Sequence, residues 1–172
     1  MTRFAPAWLA VAAAVALAGC GYHVSGQGEL MPKSIRTIAV TPMNSTRYQL
    51  ARLLPADITR ELIAHTKYKV IDDPSQADAV LSGRVANFSN FPTLFDPATG
   101  RATSVEVVVT LQVNLTERTS GKTLFSRPNM EVRERYQIST NPQQYFDESG
   151  TAIQRLSKDV AQSVVSAILE NF

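Results

Sequence analysis

One residue of this chain has the surroundings for covalent chemistry. Cys20, the only cysteine, follows Leu17-Ala18-Gly19. That small-residue spacing is the cleavage pattern of a lipoprotein signal peptidase, with the thiol placed to receive diacylglycerol before cleavage. Upstream, Arg3 precedes the nearly unbroken apolar run Phe4 to Ala18. That is the length of a secretory leader and falls short of the roughly twenty apolar residues that span a bilayer. A buried cysteine in a helix would be the ordinary alternative, but Gly19 and Gly21 interrupt such a helix. Lipidation of Cys20 leaves no free thiol for a disulfide, a metal site or a nucleophile.

Other reactive types are scattered. Neither His23 nor His65 has a second histidine or a cysteine at ligand spacing, so no metal site is expected. Asp72-Asp73 precedes Pro74, and adjacent acids before proline are turn-formers more often than acid/base dyads. No GxSxG, P-loop or dinucleotide fingerprint occurs. The chain is therefore expected to be no enzyme and to carry no cofactor.

The leader covers residues 1–19, and its removal from 172 leaves 153, enough for one self-supporting core. Arg3 is the only charge lost from 17 basic and 15 acidic residues. The mature chain is thus near neutral, which gives no support to nucleic-acid binding. Residues 20–33, with three glycines after the cysteine and little periodicity, are expected to be the lipidated N-terminus and a flexible tether. Residues 34–172 form the expected domain.

Ile35 to Thr41 is β-branched and ends at Pro42, which predicts a buried strand. Asn44-Ser45-Thr46 offers capping side chains for a helix from Tyr48 to His65. In that helix Leu50, Leu54, Ile58 and Leu62 recur every four positions, Leu53 and Ile63 widen the stripe, and Arg52, Asp57, Arg60 and Glu61 lie opposite. Pro55 predicts a kink or a regular part starting there. Strands are expected at Tyr68–Ile71 and from Ala79 to about Phe88, then a loop from Phe91 to Arg101. From Val105 to Leu115, valine and leucine alternate with polar residues, the period of a half-buried strand. After the turn at Thr119–Lys122, a second arm is expected to point Leu124, Met130, Val132, Tyr136 and Ile138 inward and Arg127, Glu131, Arg133 and Arg135 outward, with a bulge or edge position at Pro128. Ile153, Leu156, Val160, Val164 and Ile168 mark a closing helix. The economical assembly is α+β: two amphipathic helices packed on one face of a mixed, mostly antiparallel sheet of about four to five strands.

In that order of features the chain resembles the LptE family of lipopolysaccharide-assembly lipoproteins. The resemblance is carried by Cys20-Gly21-Tyr22-His23, by Ile38-Ala39-Val40 with Pro42 and Asn44-Ser45-Thr46, by Leu50 to Ile63, by Tyr68-Lys69-Val70-Ile71, by Ala77 to Gly83, by Val105 to Leu115 and by the terminal helix. It implies a plug-like partner of the LptD-type β-barrel that places lipopolysaccharide in the outer membrane, anchored by lipid on the periplasmic side. Gly21 fits that destination, since many bacteria retain lipoproteins in the inner membrane with an Asp there. Family members touch the anionic glycolipid through basic loop residues. Of the two loops concerned, the one between the middle strands offers only Arg101 and the one from Asn141 to Glu148 holds no Lys or Arg; the candidates for lipopolysaccharide binding are Arg101, Lys122, Arg133 and Arg135, since phosphate groups favour arginine forks. The opening of the domain also resembles periplasmic lipoproteins that activate or scaffold peptidoglycan synthesis or envelope secretion. The long hairpin followed at once by a terminal helix favours the transport reading.

Overall fold

The computed structural model describes residue 32, residues 34–138 and residues 149–170. Cys20, most of the tether and the loop from Asn141 to Glu148 lie outside them. Seven elements run in the order β1 (Thr37–Val40), α1 (Tyr48–His65), β2 (Lys69–Val70), β3 (Ala79–Phe95), β4 (Ala102–Glu117), β5 (Thr123–Gln137) and α2 (Ser149–Glu170). The strands form one sheet in the order β2-β1-β3-β4-β5. The sheet is mixed, as expected, but β1 lies parallel to both its neighbours. Only β3, β4 and β5 are antiparallel. A strand leading into a helix that returns the chain to its start makes the β1–β2 pair parallel.

The alternation in β4 is realised. Val107, Val109, Leu111, Val113 and Leu115 are buried in one cluster with Leu50, Leu54, Ile58 and Leu62 of α1 and Leu156, Val160, Val164 and Ile168 of α2. Glu106, Thr110, Gln112 and Asn114 take the other side of the strand and stay partly exposed. At about 25 cal/mol per Å² of apolar area, this single cluster is the main stabilising term of the domain.

Helix α1 begins at Tyr48, ahead of Pro55, with Arg47 as an N-cap that makes no side-chain cap bond. The expected capping residues are engaged elsewhere. Asn44 bridges to Arg84 of the sheet, its carbonyl accepts the Val85 N–H at 2.8 Å, and Ser45 Oγ accepts the Arg47 N–H at 3.1 Å. Pro55 cannot donate to the Ala51 carbonyl, yet the helix continues through it. Ile63 lies outside the apolar stripe and is 60 % exposed. Asp57, expected on the polar face, is buried instead and accepts a hydrogen bond from the buried Ser157 Oγ of α2 at 2.6 Å.

Two strand expectations are corrected. Phe91 to Phe95 is the end of β3 and not a loop, because it pairs with the start of β4, and the connection shrinks to Asp96–Arg101. At the start of β5 the buried residue is Phe125, while Leu124 is only partly buried, and Arg127 pairs with Val113 on the core side. The reason is the bulge: three steps from Arg127 to Met130 oppose two from Val113 to Leu111. Pro128 sits in that bulge on an edge strand, where its missing N–H removes no ladder bond that the sheet needs.

Candidate interaction surface

Cross-strand register gathers charge on the sheet face away from the core. Glu106 of β4 stands opposite Arg135 of β5, and Arg133 lies one pair along on the same face. The Glu106 carboxylate takes one hydrogen bond from each arginine, Arg133 Nη1 to Oε1 and Arg135 Nη2 to Oε2, both 3.2 Å. Arg133 also donates to Glu131 Oε1 through Nε at 2.8 Å and Nη2 at 2.5 Å. The Glu131 hydrogen bonds and charge, then those of Glu106, raise the Arg133 guanidinium above its already high pKa, so it stays protonated. Two arginines and two glutamates make this cluster neutral in sum. Exposed pairs of this kind contribute little stability but fix the pattern a partner meets. Farther along the same face Arg84 Nε donates to Gln112 Oε1 at 2.6 Å and Ser126 Oγ to Asn114 Oδ1 at 2.7 Å.

Beside the charges lies an apolar patch. Phe91, Leu94 and Phe95 pair with Glu106, Ser104 and Ala102, even-numbered residues of β4 that share its outer face. In an unbroken strand Thr93 would take the place of Leu94. Register shifts on either side of Leu94 bring all three apolar residues to one face, and Thr93 Oγ1 bonds the buried Ser104 Oγ at 3.1 Å. Phe91 is 52 %, Leu94 60 % and Phe95 59 % exposed. The turn beyond them is tied by Asp96, whose Oδ1 accepts the N–H groups of Ala98 and Thr99.

The domain's N-terminus enters at the opposite end of the sheet. Asp78 Oδ2 accepts the N–H groups of Arg36 and Thr37 and the Thr37 hydroxyl, each at 2.9 Å. These bonds, the Arg36 N–H foremost, hold the Asp78 carboxyl below the usual carboxylate range, with the Arg118 charge adding to them. Ser34 Oγ reaches Glu117 at 3.5 Å. The 16 residues of β4 separate this end from the Phe95 turn by about 50 Å at 3.3 to 3.4 Å per residue.

The four basic residues expected from sequence therefore do not form one site. Arg133 and Arg135 share Glu106. Arg101 lies in the turn before β4, and Lys122 in the turn at the far end of that strand. The role of Glu106 as their common acceptor depends on strand register, although the alternation already placed all three outward. Sequence reasoning also missed Arg47, whose guanidinium stacks 4.4 Å from the centre of the Phe88 ring. Arg47, Phe88, Asn90, Tyr136, Ser149 and Ile153 help to line a cavity of about 290 Å³ on the core side of the sheet. Among the described residues, no three His, Cys, Asp or Glu side chains come together as a metal site. None of the described helices is long and apolar enough to cross a membrane.

Several solved structures share this fold. A lipoprotein B of Nitrosomonas europaea superposes with a TM-score of 0.56 at 15 % identity, covering 77 % of this chain and 81 % of its own. A protein of Xanthomonas campestris gives 0.56 at 13 % identity over 84 % and 90 %. A minor lipoprotein of Acinetobacter baumannii gives 0.51 at 15 % over 81 % and 95 %. At such identities the likeness establishes the architecture alone. No curated protein matches the chain in sequence. The model of the LptE family, described as lipopolysaccharide-assembly, matches residues 35–168, from the first buried residue of the domain almost to the end of α2. By that match over most of its length, the chain belongs to the LptE family of lipopolysaccharide-assembly proteins.

Proposed function

We propose that this protein is an outer-membrane lipoprotein, anchored through Cys20 on the periplasmic side, that seats as a plug in a wide LptD-type β-barrel and assists the assembly of lipopolysaccharide at the cell surface. The observation that carries the reading is the family match over residues 35–168. The physical arrangement supports it. Both helices stack on the core face of the sheet, a reading supported by the single cluster they share with the odd-numbered residues of β4. The remaining face then presents paired charges and hydrogen-bonded polar side chains, which suits the polar interior of a large barrel better than a lipid-facing wall.

The protein acts in this reading by shape and contact, without a chemical step. It stabilises the barrel during assembly and touches the glycolipid in transit. Arg133 and Arg135 are the strongest of the four candidates for the glycolipid's phosphates, because Glu106 holds them side by side and arginine forks match phosphate oxygens. Arg101 and Lys122 are assigned the same role more weakly, at separate ends of β4.

The test is a pull-down of the tagged, lipidated protein from detergent-solubilised outer membranes, with copurified proteins identified by mass spectrometry. A large β-barrel in near-equal amount is the expected result. Peptidoglycan synthases or secretion components without a barrel would overturn the plug reading.

A further inference from the structure

We infer that the cavity on the core side of the sheet, with Arg47 at its mouth, is a binding site for a single acyl chain next to a phosphate. The inference goes beyond the proposed function and does not depend on the barrel, because it leaves the outer face of the sheet to the barrel wall and to the glycolipid contacts proposed there.

The site follows from strand register. Phe88 and Asn90 of β3 stand opposite Val109 and Val107 of β4, and Tyr136 of β5 stands opposite Val105. Directly opposed residues share a face, so these side chains point with the buried valines toward the helices. Asn90 is nonetheless exposed, which shows that the helix layer does not close over this end of the core. The opening is bounded by the starts of both helices, Gln49 in α1 and Ser149 and Ile153 in α2. Val107 and Tyr136 are buried at its floor, Phe88 and Ile153 are half-buried along its wall, and Arg47 and Asn90 are exposed at its rim.

An apolar interior under a cationic rim selects an amphiphile. At about 30 Å³ per water, the cavity of about 290 Å³ has room for about ten waters against Phe88, Val107, Tyr136 and Ile153, and a hydrocarbon chain in their place gains the free energy of leaving water. The volume lies at the small end of the roughly 300 to 1,000 Å³ of ligand sites, which suits one chain and not a whole lipid. The head group is set by Arg47. Its guanidinium is held over the Phe88 ring, 4.4 Å from the centre, and unlike Arg60, Arg133, Arg135 and Arg155 it has no carboxylate partner among the described residues. Neither helix carries an acid in its first turn, so the positive ends of both dipoles add to the arginine charge. An arginine fork with open donors matches phosphate oxygens, and phosphate is the anion that membrane lipids carry next to their chains.

The experiment uses the lipidated protein in dodecyl maltoside, whose neutral head makes the micelle itself a control for unspecific chain binding. The probe is dodecyl phosphate with a photoreactive diazirine at the chain end, and adducts are located by peptide mass spectrometry. They are expected on Val107, Tyr136 or Ile153. Excess dodecyl phosphate should displace the probe. Arg47→Gln should reduce labelling by about tenfold or more, the worth of a hydrogen bond to a charged group, whereas Arg52→Gln, at another exposed arginine of α1, should leave it unchanged. Ile153→Trp fills the cavity and should abolish labelling in protein with unaltered circular dichroism. Because Arg47 is exposed, its variant reads the site even where Ile153→Trp fails to fold.

Adducts confined to other residues, labelling that survives Arg47→Gln, or an equal loss in Arg52→Gln would overturn the site. Displacement by inorganic phosphate would reduce it to an anion site and overturn the chain. Displacement by purified lipopolysaccharide would support the site and make the chain one of the glycolipid. Displacement by phosphatidylglycerol would support it and make the chain one of a phospholipid, and displacement by neither would overturn the assignment to a membrane lipid.

Discussion

Ser157→Ala removes the hydroxyl that joins the two helices through Asp57. Both residues lie inside the domain, at 0 % and 6 % exposure, and the oxygen atoms are 2.6 Å apart. A hydrogen bond to a charged group is worth about 1.5 to 3 kcal/mol, and the same range covers the cost of leaving its buried partner unsatisfied. The Arg60 pairing to Asp57 remains in the variant, but that guanidinium is 68 % exposed and adds little. Ser157→Ala should therefore cost about 1.5 to 3 kcal/mol, which in a domain of this size lowers Tm by about 3 to 12 °C. Asp57→Ala should cost a similar amount, since it strands the Ser157 hydroxyl. The double variant removes both polar partners and should cost well under the sum of the two. Urea and thermal unfolding at neutral pH, followed by circular dichroism on all four proteins, give the coupling directly. A coupling below about 0.5 kcal/mol, the scatter of independent sites, would refute the assignment of this bond as the polar link between the helices.

Gly83→Ala places a Cβ 2.8 Å from the Gln112 carbonyl oxygen and 3.3 Å from Met43 Cε, and the crowding should cost about 1 to 3 kcal/mol in chemical unfolding. Gly150→Ala meets nothing within 4 Å in the first turn of α2 and should instead stabilise by up to about 1 kcal/mol. Asp78 has its carboxyl lowered in the folded state, so its contribution is complete above the ordinary carboxylate value near pH 4 and is lost as pH falls through the lowered one. The stability gap between the protein and Asp78→Asn should thus be full at neutral pH and shrink below about pH 4, as measured by unfolding at a series of pH values. Arg133→Ala with Arg135→Ala should weaken binding to purified lipopolysaccharide in a fluorescence titration, and unchanged binding would strike both residues from the candidate site.

The secondary structure was legible wherever one face of an element is buried. The four-residue step of Leu50, Leu54, Ile58 and Leu62 marked α1, and the two-residue alternation from Val105 to Leu115 marked β4. In both cases the period of the apolar residues follows from the geometry of the element itself. Reading failed where a distant partner overrode local preference. Phe91 to Phe95 carries Pro92 and looks like loop, yet β4 supplies it with a pairing strand. Asp57 looks like a surface acid, yet Ser157, one hundred residues away, gives it a buried partner.

What the sequence determined by itself is local or covalent: the lipidation pattern ending at Cys20, the absence of further thiols, the two apolar helix stripes and the outward placement of Glu106, Arg133 and Arg135. Each is set by neighbours within a few positions. Only the tertiary structure decided the strand order β2-β1-β3-β4-β5, the parallel seating of β1, the sharing of Glu106 by two arginines and the gathering of Phe91, Leu94 and Phe95 on one face. Strand order and register are chosen by the free energy of the whole sheet, and a one-residue shift turns every side chain to the opposite face.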